Sequence, residues 1–425
     1  MVKQCYSSPE PGTTAIRYLS LLASTCKNRF IMSKYFSIAN ITAGFIAVMV
    51  GFTSSAVIIF QAAAAAGATS AQVSSWLLAL GVGVAFGCFF VSLYYRMPIL
   101  VAWSTPGAAL LVASLSGVSL PQAIGAFILS ALLVVIAGAT GCFARLMAHI
   151  PRSLASAMLA GILLNFGLNV FVAMQDQMLL ICLMLITYLI GKRLFPRLAI
   201  LMVLIVGTSI ACSQNLVHIP DFHLSFAYPI LVKPEFSWQV LISVGVPLFI
   251  VTMTSQMVPG FAVLHSAGYY PPVSPLVTLL GFINLLIAPF GGFSVNLAAM
   301  TAAICTSEHA EADPSRRYRA TIWAGVFYLL IGIFSASLVS ILTAFPKELI
   351  AGIAGIALLG TLGANLKVAV DDESQREPAL ITFLVSASGV NLFGVSAAFW
   401  GLLAGIIAAF FLGSLSRQLA GAPTN

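Results

Sequence analysis

"ILVAWSTPGAAL", residues 99–110, interrupts a chain that is otherwise almost continuous hydrocarbon. Pro98 and Pro106 bracket a β-branched and aromatic run, which reads as extended chain rather than helix. Pro106 then suits the start of a helix, with Ser104 or Thr105 as its cap. The segment therefore crosses half a bilayer as extended chain and half as a helix of roughly 12 residues, about 18 Å long. A later stretch repeats the device. Pro289, Gly291 and Gly292 discourage helix, Phe293 and Ser294 occupy the turn, and a half-helix runs on through Ala298 to Cys305. Extended chain is thus expected at 99–104 and 290–294.

The surroundings are membrane. Of 425 residues, 60% are hydrophobic and only 7% charged, a balance that excludes a soluble globular domain of this size. The expected class is an all-α polytopic membrane protein. Apolar periodicity gives fourteen spans, among them the third at 98–117, the fifth at 152–173, the eighth at 238–266, the tenth at 289–306 and the twelfth at 347–364. The sixth and thirteenth are short for a full crossing, which leaves twelve as the alternative count. Residues 1–36 read as a disordered cytoplasmic terminus or, if Met32 is the true start, as a stretch outside the natural protein. They lack the apolar core and cleavage site of a signal peptide.

The formal charge of +7 does not point to nucleic acid, because the basic residues fall singly between apolar segments and form no stripe. They report topology instead. With the N-terminus inside, Arg96, Arg152, Lys192, Arg193, Arg316, Arg317, Arg319 and Lys367 all become cytoplasmic, leaving Lys233 and Lys347 outside. Both termini are then cytoplasmic in a multi-pass protein of the inner membrane. The seven cysteines are scattered, without metal or redox spacing, and read as small apolar packing residues. No metal or other cofactor is expected.

The chain echoes itself. "IPRSLASAMLAGILL" at 150–164 resembles "FPKELIAGIAGIALL" at 345–359, "WSTPGAAL" at 103–110 resembles "FSVNLAAM" at 293–300, and "VSSWL" at 73–77 falls opposite "VSPLV" at 273–277. The order is kept, which argues for duplication. A unit of seven spans is odd, so the second copy enters from the opposite face and the repeats are inverted. The expected division is 37–213 for the first repeat, an external loop at 214–237, 238–416 for the second repeat and a cytoplasmic tail at 417–425.

Two half-helices entering from opposite faces point their N-termini at each other in mid-membrane. Each presents unpaired N–H groups and about half a positive charge, an anion site needing no Lys or Arg. The carboxylates all fall in loops or termini, which suits an anionic substrate. The eighth span adds "VTMTSQMVPG", matched in the first repeat by "GFTSSAV" with Ser54. Ser and Thr there commonly bond their own backbone, whereas the Gln256 amide needs external partners, so Gln256 is the candidate substrate contact. Among histidines His265 is best placed, yet it reads as an interfacial residue.

"AWSTPGAALL", "VTMTSQMVPG", "FGGFSVNLAAMTAAIC" and "AAFWGLLAG" closely resemble the benzoate membrane transport family, whose members are described as benzoate/proton symporters. The resemblance covers about residues 36–416. It implies the uracil-transporter-like fold: seven plus seven inverted spans, a core and a gate domain, and short strands with half-helices in spans three and ten. It also implies a proton and a small aromatic carboxylate as partners. In the nucleobase branch of that fold, glutamates on spans eight and ten bind substrate. Here Gln256 takes the first place and Phe293, Ser294 and Asn296 the second, which favours a carboxylate that needs donors over a nucleobase that needs acceptors. Trp103 and Phe293, matched across the repeats, are placed to sandwich an aromatic ring. With Ser54 of the first span and Ser104, Thr105 and Gly107 of the third they complete the candidate substrate site. The resulting expectation is a secondary active transporter working by alternating access. The alternatives are a carrier of another small organic anion or of a nucleobase, or a channel. No catalytic motif or nucleotide loop points to an enzyme. A homodimer is an assembly the sequence leaves open.

Overall fold

The computed structural model describes residues 37–141, 151–196, 198–217, 224–298 and 301–412. The expected N-terminal tail, 1–36, and the C-terminal tail, 417–425, lie outside the described residues. Helix occupies each of the apolar stretches read from the sequence. In chain order these are α1 (Ile38–Ala65), α2 (Ser70–Tyr95), α3 (Thr105–Ser114), α4 (Leu120–Ala139), α5 (Arg152–Asp176), α6 (Met178–Leu194) and α7 (Ala199–Ser213). There follow α8 (Trp238–Ser266), α9 (Val273–Ile287), α10 (Ala302–Thr306), α11 (Tyr318–Ile333), α12 (Ser335–Thr343), α13 (Lys347–Asp371), α14 (Arg376–Ala387) and α15 (Ala397–Phe411). Among the described residues, seven of these helices are long and apolar enough to cross a membrane, or eight if α11 and α12 count together.

Two short strands lie among the helices. β1 (Val101–Trp103) pairs antiparallel with β2 (Val295–Leu297), with Ala102 facing Asn296. Backbone away from water must be satisfied internally, and neighbouring side chains close the outer edges of this ribbon. On the β1 side, Cys88 Sγ donates to Val101 O at 3.2 Å and Ser92 Oγ to Ile99 O at 3.0 Å. On the β2 side, Asn284 Nδ2 donates to Val295 O at 2.9 Å while Val295 N–H donates to Asn284 Oδ1 at 2.6 Å. These bonds cover the ribbon's outer edges at Ile99, Val101 and Val295.

The expectation for the tenth span needs correction. Extended chain does not begin at 290: a 3₁₀ turn occupies Ala288–Phe290, Gly291 turns the chain at φ +94, and the strand is Val295–Leu297, with Ser294 already bonded to Ser104. Gly291 is required twice over, by its positive φ and by Trp76, which fills the space a Cβ would take. The helix after β2 is described only from Ala302 to Thr306; residues 299 and 300 lie outside the described residues. The described part of this helix, α10, is five residues long. Its C-terminal end is held by Arg317, whose Nη1 donates to Thr306 O at 2.8 Å.

Lipid is as apolar as leucine, so helix association rests on close packing and interhelical hydrogen bonds. α11 packs on α1 and α2, α4 on α9, and α3 on α1. α5 packs along α13 and α14, and α14 on α15. The apolar stretch at 318–343, which the count of fourteen takes as one span, bends by 61° at Phe334 between α11 and α12. Ser335 starts α12 by donating its hydroxyl to Ser74 O on α2 at 2.8 Å. α13 runs to Asp371, beyond the expected end at 364, and this extra length brings Asn365 to the cavity described next. Residues 224–237, within the expected external loop, meet the start of α2 and α4 and the far end of α9 and α11. Ile230 N–H donates to Ser75 Oγ, Glu235 N–H to Pro121 O, Val232 N–H to Pro289 O and Ala227 N–H to Ile333 O.

Candidate functional site

The first wall of the site is the N-terminal turn of α3. Ser104 is fully buried in extended backbone and caps the helix, its Oγ accepting from Gly107 N–H at 2.9 Å. Ala108 N–H donates to Ser104 O, and Ser104 N–H donates across the ribbon to Ser294 O, both at 2.9 Å. Pro106 has no N–H to give. Of the donors expected to face an anion, only the Thr105 N–H therefore remains unpaired among the described residues, together with the dipole of a ten-residue helix.

The second wall is a break in α8. Residues Met253–Met257 form a π turn inside the helix, a local widening that often marks function. The sequence supplies two causes. Pro259 cannot donate to the carbonyl of Ser255, and the hydroxyls of Thr254 and Ser255 bond back to Ile250 O at 2.8 Å and Val251 O at 2.5 Å. The widened turn presents Gln256 to the cavity, half-buried and with no hydrogen-bond partner for its amide among the described residues. Gly260, one turn on, lets α8 touch β2; a Cβ there would lie 2.5 Å from that of Leu297.

Facing these walls are Arg152 and Ser156 of α5 and Thr361 and Asn365 of α13. The cavity holds about 470 Å³, within the range of roughly 300–1,000 Å³ usual for small-molecule sites. No carboxylate lines it. Asn365 Nδ2 donates to Thr361 O at 2.8 Å, leaving its amide oxygen available. A larger cavity of about 520 Å³, between α1, α7 and α12, has an almost wholly apolar lining and offers an anion nothing.

Thr105 and Gln256 are the sequence candidates that line the polar cavity. Ser104 and Gly107 stand directly behind it as the capped turn. Ser54 lines neither of these two cavities and bonds back to Gly51 O at 3.0 Å. Ser294 and Asn296 are buried in a chain of side chains: Asn296 Nδ2 donates to Ser294 Oγ at 2.7 Å, and Ser294 Oγ meets Thr252 Oγ1 at 2.9 Å. The Asn296 Oδ1 atom is buried without a partner.

Trp103 and Phe293 do not form a sandwich. Trp103 donates its indole N–H to Ser55 Oγ at 2.6 Å and packs on Tyr328 at 4.9 Å between ring centroids. Phe293 packs instead on Phe127 at 6.0 Å and Trp76 at 6.3 Å. In the ribbon Trp103 lies opposite Val295, two residues beyond Phe293. The sequence reading passed over Arg152, Ser156, Thr361 and Asn365; Asn365 and Thr361, polar one turn apart in an apolar helix, were the available signal.

A capped half-helix and a broken helix, joined by a two-stranded ribbon around an open cavity, define a multi-pass membrane transporter. Solved structures share this uracil-transporter-like fold. The transmembrane domain of a cyanobacterium bicarbonate transporter, BicA, aligns with TM-score 0.58 at 12% identity, over 87% of this chain and 97% of that one. SLC26A9 aligns with TM-score 0.59 at 14% identity, over 98% of this chain and 73% of that one. At such identities the likeness is one of fold. The chain belongs to the benzoate membrane transport protein family, whose model matches residues 34–411 and which is a family of membrane transporters, not of enzymes. Inner membrane protein YdcO of Escherichia coli (strain K12) is 48% identical over 363 residues, 85% of this chain and 93% of that relative. The benzoate membrane transport protein of Acinetobacter baylyi is 38% identical over 376 residues, 88% of this chain and 95% of that relative.

Proposed function

We propose that this protein is a secondary active transporter that imports benzoate or a related aromatic carboxylate together with protons, by alternating access. The observation that carries the reading is the lining of the polar cavity: an unpartnered amide at Gln256, the N-terminus of α3, Arg152 and no carboxylate. Such a lining favours an anion and repels nothing negative. The name of the Acinetobacter baylyi relative supports benzoate in particular.

In this reading the chain has fourteen spans as seven plus seven inverted repeats, with both termini cytoplasmic in the inner membrane. α1–α4 and α8–α12 make the core, and α5–α7 with α13–α15 make the gate. The contacts of residues 224–237 with alternate helix ends support alternating crossings. Arg152 at the start of α5 and Val368 near the end of α13 both border the cavity, so it opens toward the cytoplasm. Proteoliposomes tested with labelled benzoate should concentrate it when the outside is made acidic and stop when the pH gradient is collapsed. Absence of gradient-driven uptake would remove the proton from the mechanism. A second reading, a smaller anion, is favoured by the description of the BicA neighbour as a bicarbonate transporter; bicarbonate competition in the same vesicles separates the two.

A further inference from the structure

We propose that Arg152 is the specificity-determining cation of the cavity, pairing with the substrate carboxylate from the α5 wall while Gln256 holds it from α8. This inference rests on the transport reading above. Arg152 lines the same cavity as Thr105 and Gln256 and is exposed there. Among the described residues it takes part in no ion pair.

Its position is a poor one for a purely structural cation. Arg152 is the first residue of the 25-residue α5, whose first turn carries no acidic residue and whose N-cap, Pro151, offers no side-chain bond. A positive charge at a helix N-terminus opposes the dipole, so Arg152 gains nothing from its own helix. The chain holds an internal control. "IPRSLASA" at 150–157 is echoed by "FPKELIAG" at 345–352, and there the basic residue is followed by an acid: Lys347 lies 3.8 Å from Glu348. In the first copy Ser153 stands where Glu348 stands in the second, and the charge of Arg152 is left for something else.

A carboxylate suits this guanidinium in chemistry. The guanidinium fork offers two parallel N–H groups, which match the two oxygens of a carboxylate. An anion held by Arg152 on one side and Gln256 on the other ties the α5 wall to the α8 wall. A neutral molecule of the same shape makes no such tie, so charge selectivity and closure of the cavity come from one contact.

The test uses full-length wild type, R152Q and R152K in proteoliposomes, with labelled benzoate and a panel of small carboxylates. Affinity is read from about 10 mM to about 300 mM salt, over which the screening length falls from about 30 Å to below 10 Å. R152Q should bind benzoate at least about tenfold more weakly at low salt, the lower end for a charged hydrogen bond, and its salt dependence should flatten. R152K keeps the charge and should keep the salt dependence, with intermediate affinity. Thermal stability of R152Q should be unchanged or raised, where loss of a structural anchor would lower it.

Wild-type affinity and salt dependence in R152Q would overturn the role of Arg152 and leave benzoate transport standing. If wild type binds another carboxylate and not benzoate, the aromatic substrate falls and Arg152 is judged on that carboxylate by the same measurements. If wild type binds no carboxylate, both readings fall. Should R152Q not accumulate, R152K decides: weaker binding at normal abundance supports the pairing, and unchanged binding refutes it.

Discussion

Replacing Asn284 with leucine removes the clamp that holds β2. Asn284 is 2% exposed, and its amide both accepts from Val295 N–H at 2.6 Å and donates to Val295 O at 2.9 Å. Leucine is close in volume, so packing changes little. The two backbone groups of Val295 lose their partners in a place with no water to replace them. Each buried orphan costs about 1–3 kcal/mol, so the pair costs about 2–6 kcal/mol. That is a large share of a stability that is of order 5–15 kcal/mol in folded domains. The assay is thermal unfolding of detergent-purified protein, with hydrogen exchange followed at Val295 and Leu297. N284L should melt several degrees lower and exchange faster at Val295, and uptake should fall with it because β2 pairs with β1, the strand that leads into α3. Wild-type melting with a protected Val295 amide would refute the reasoning and show that pairing with β1 suffices.

Gln256→Ala should weaken benzoate binding by about 1–3 kcal/mol, the cost of leaving one buried partner unmatched, at normal abundance in the membrane; equal loss of abundance and binding would mark Gln256 as structural. Ser104→Ala removes the cap on Gly107 N–H and should lower stability by about 1 kcal/mol with little change in affinity. A large loss of affinity at unchanged stability would instead put the Ser104 hydroxyl on the substrate. Trp103→Phe keeps the ring against Tyr328 and drops the bond to Ser55, so melting should fall while discrimination among ring-substituted benzoates stays the same. Altered ring discrimination would bring Trp103 back to the site.

The parts of the fold written locally were legible in the sequence. Runs of about 20 apolar residues mark helices, and Pro98 with Pro106 marks a strand and a capped helix start, which is where β1 and α3 lie. β2 was misplaced because Gly291 and Gly292 are visible as breakers, whereas the register is fixed by Asn284 and by the pairing of Ala102 with Asn296. Those are contacts between distant elements. The same limit governs the site. Gln256 was legible because a buried amide in an apolar span is costly and conspicuous. Arg152 was read only as a topology marker and Asn365 fell beyond the expected end of its helix, yet the packing of α5 beside α13 brings both to the cavity that Gln256 lines. The facing of Trp103 and Phe293 failed because each ring is fixed by contacts with distant elements, Trp103 by Ser55 and Tyr328 and Phe293 by Trp76 and Phe127.

The central claim is that charge is recognised before shape, and competition against labelled benzoate uptake in proteoliposomes tests it most directly. Benzamide keeps the ring and the outline of benzoate and forfeits the carboxylate, losing the attraction of the α3 dipole, worth up to about 2 kcal/mol when partly buried. It should compete far less well than unlabelled benzoate. Uracil lacks the carboxylate and finds no glutamate in the cavity to accept its N–H groups, so it should compete hardly at all. Displacement of benzoate by benzamide or uracil as efficient as by benzoate itself would contradict the account.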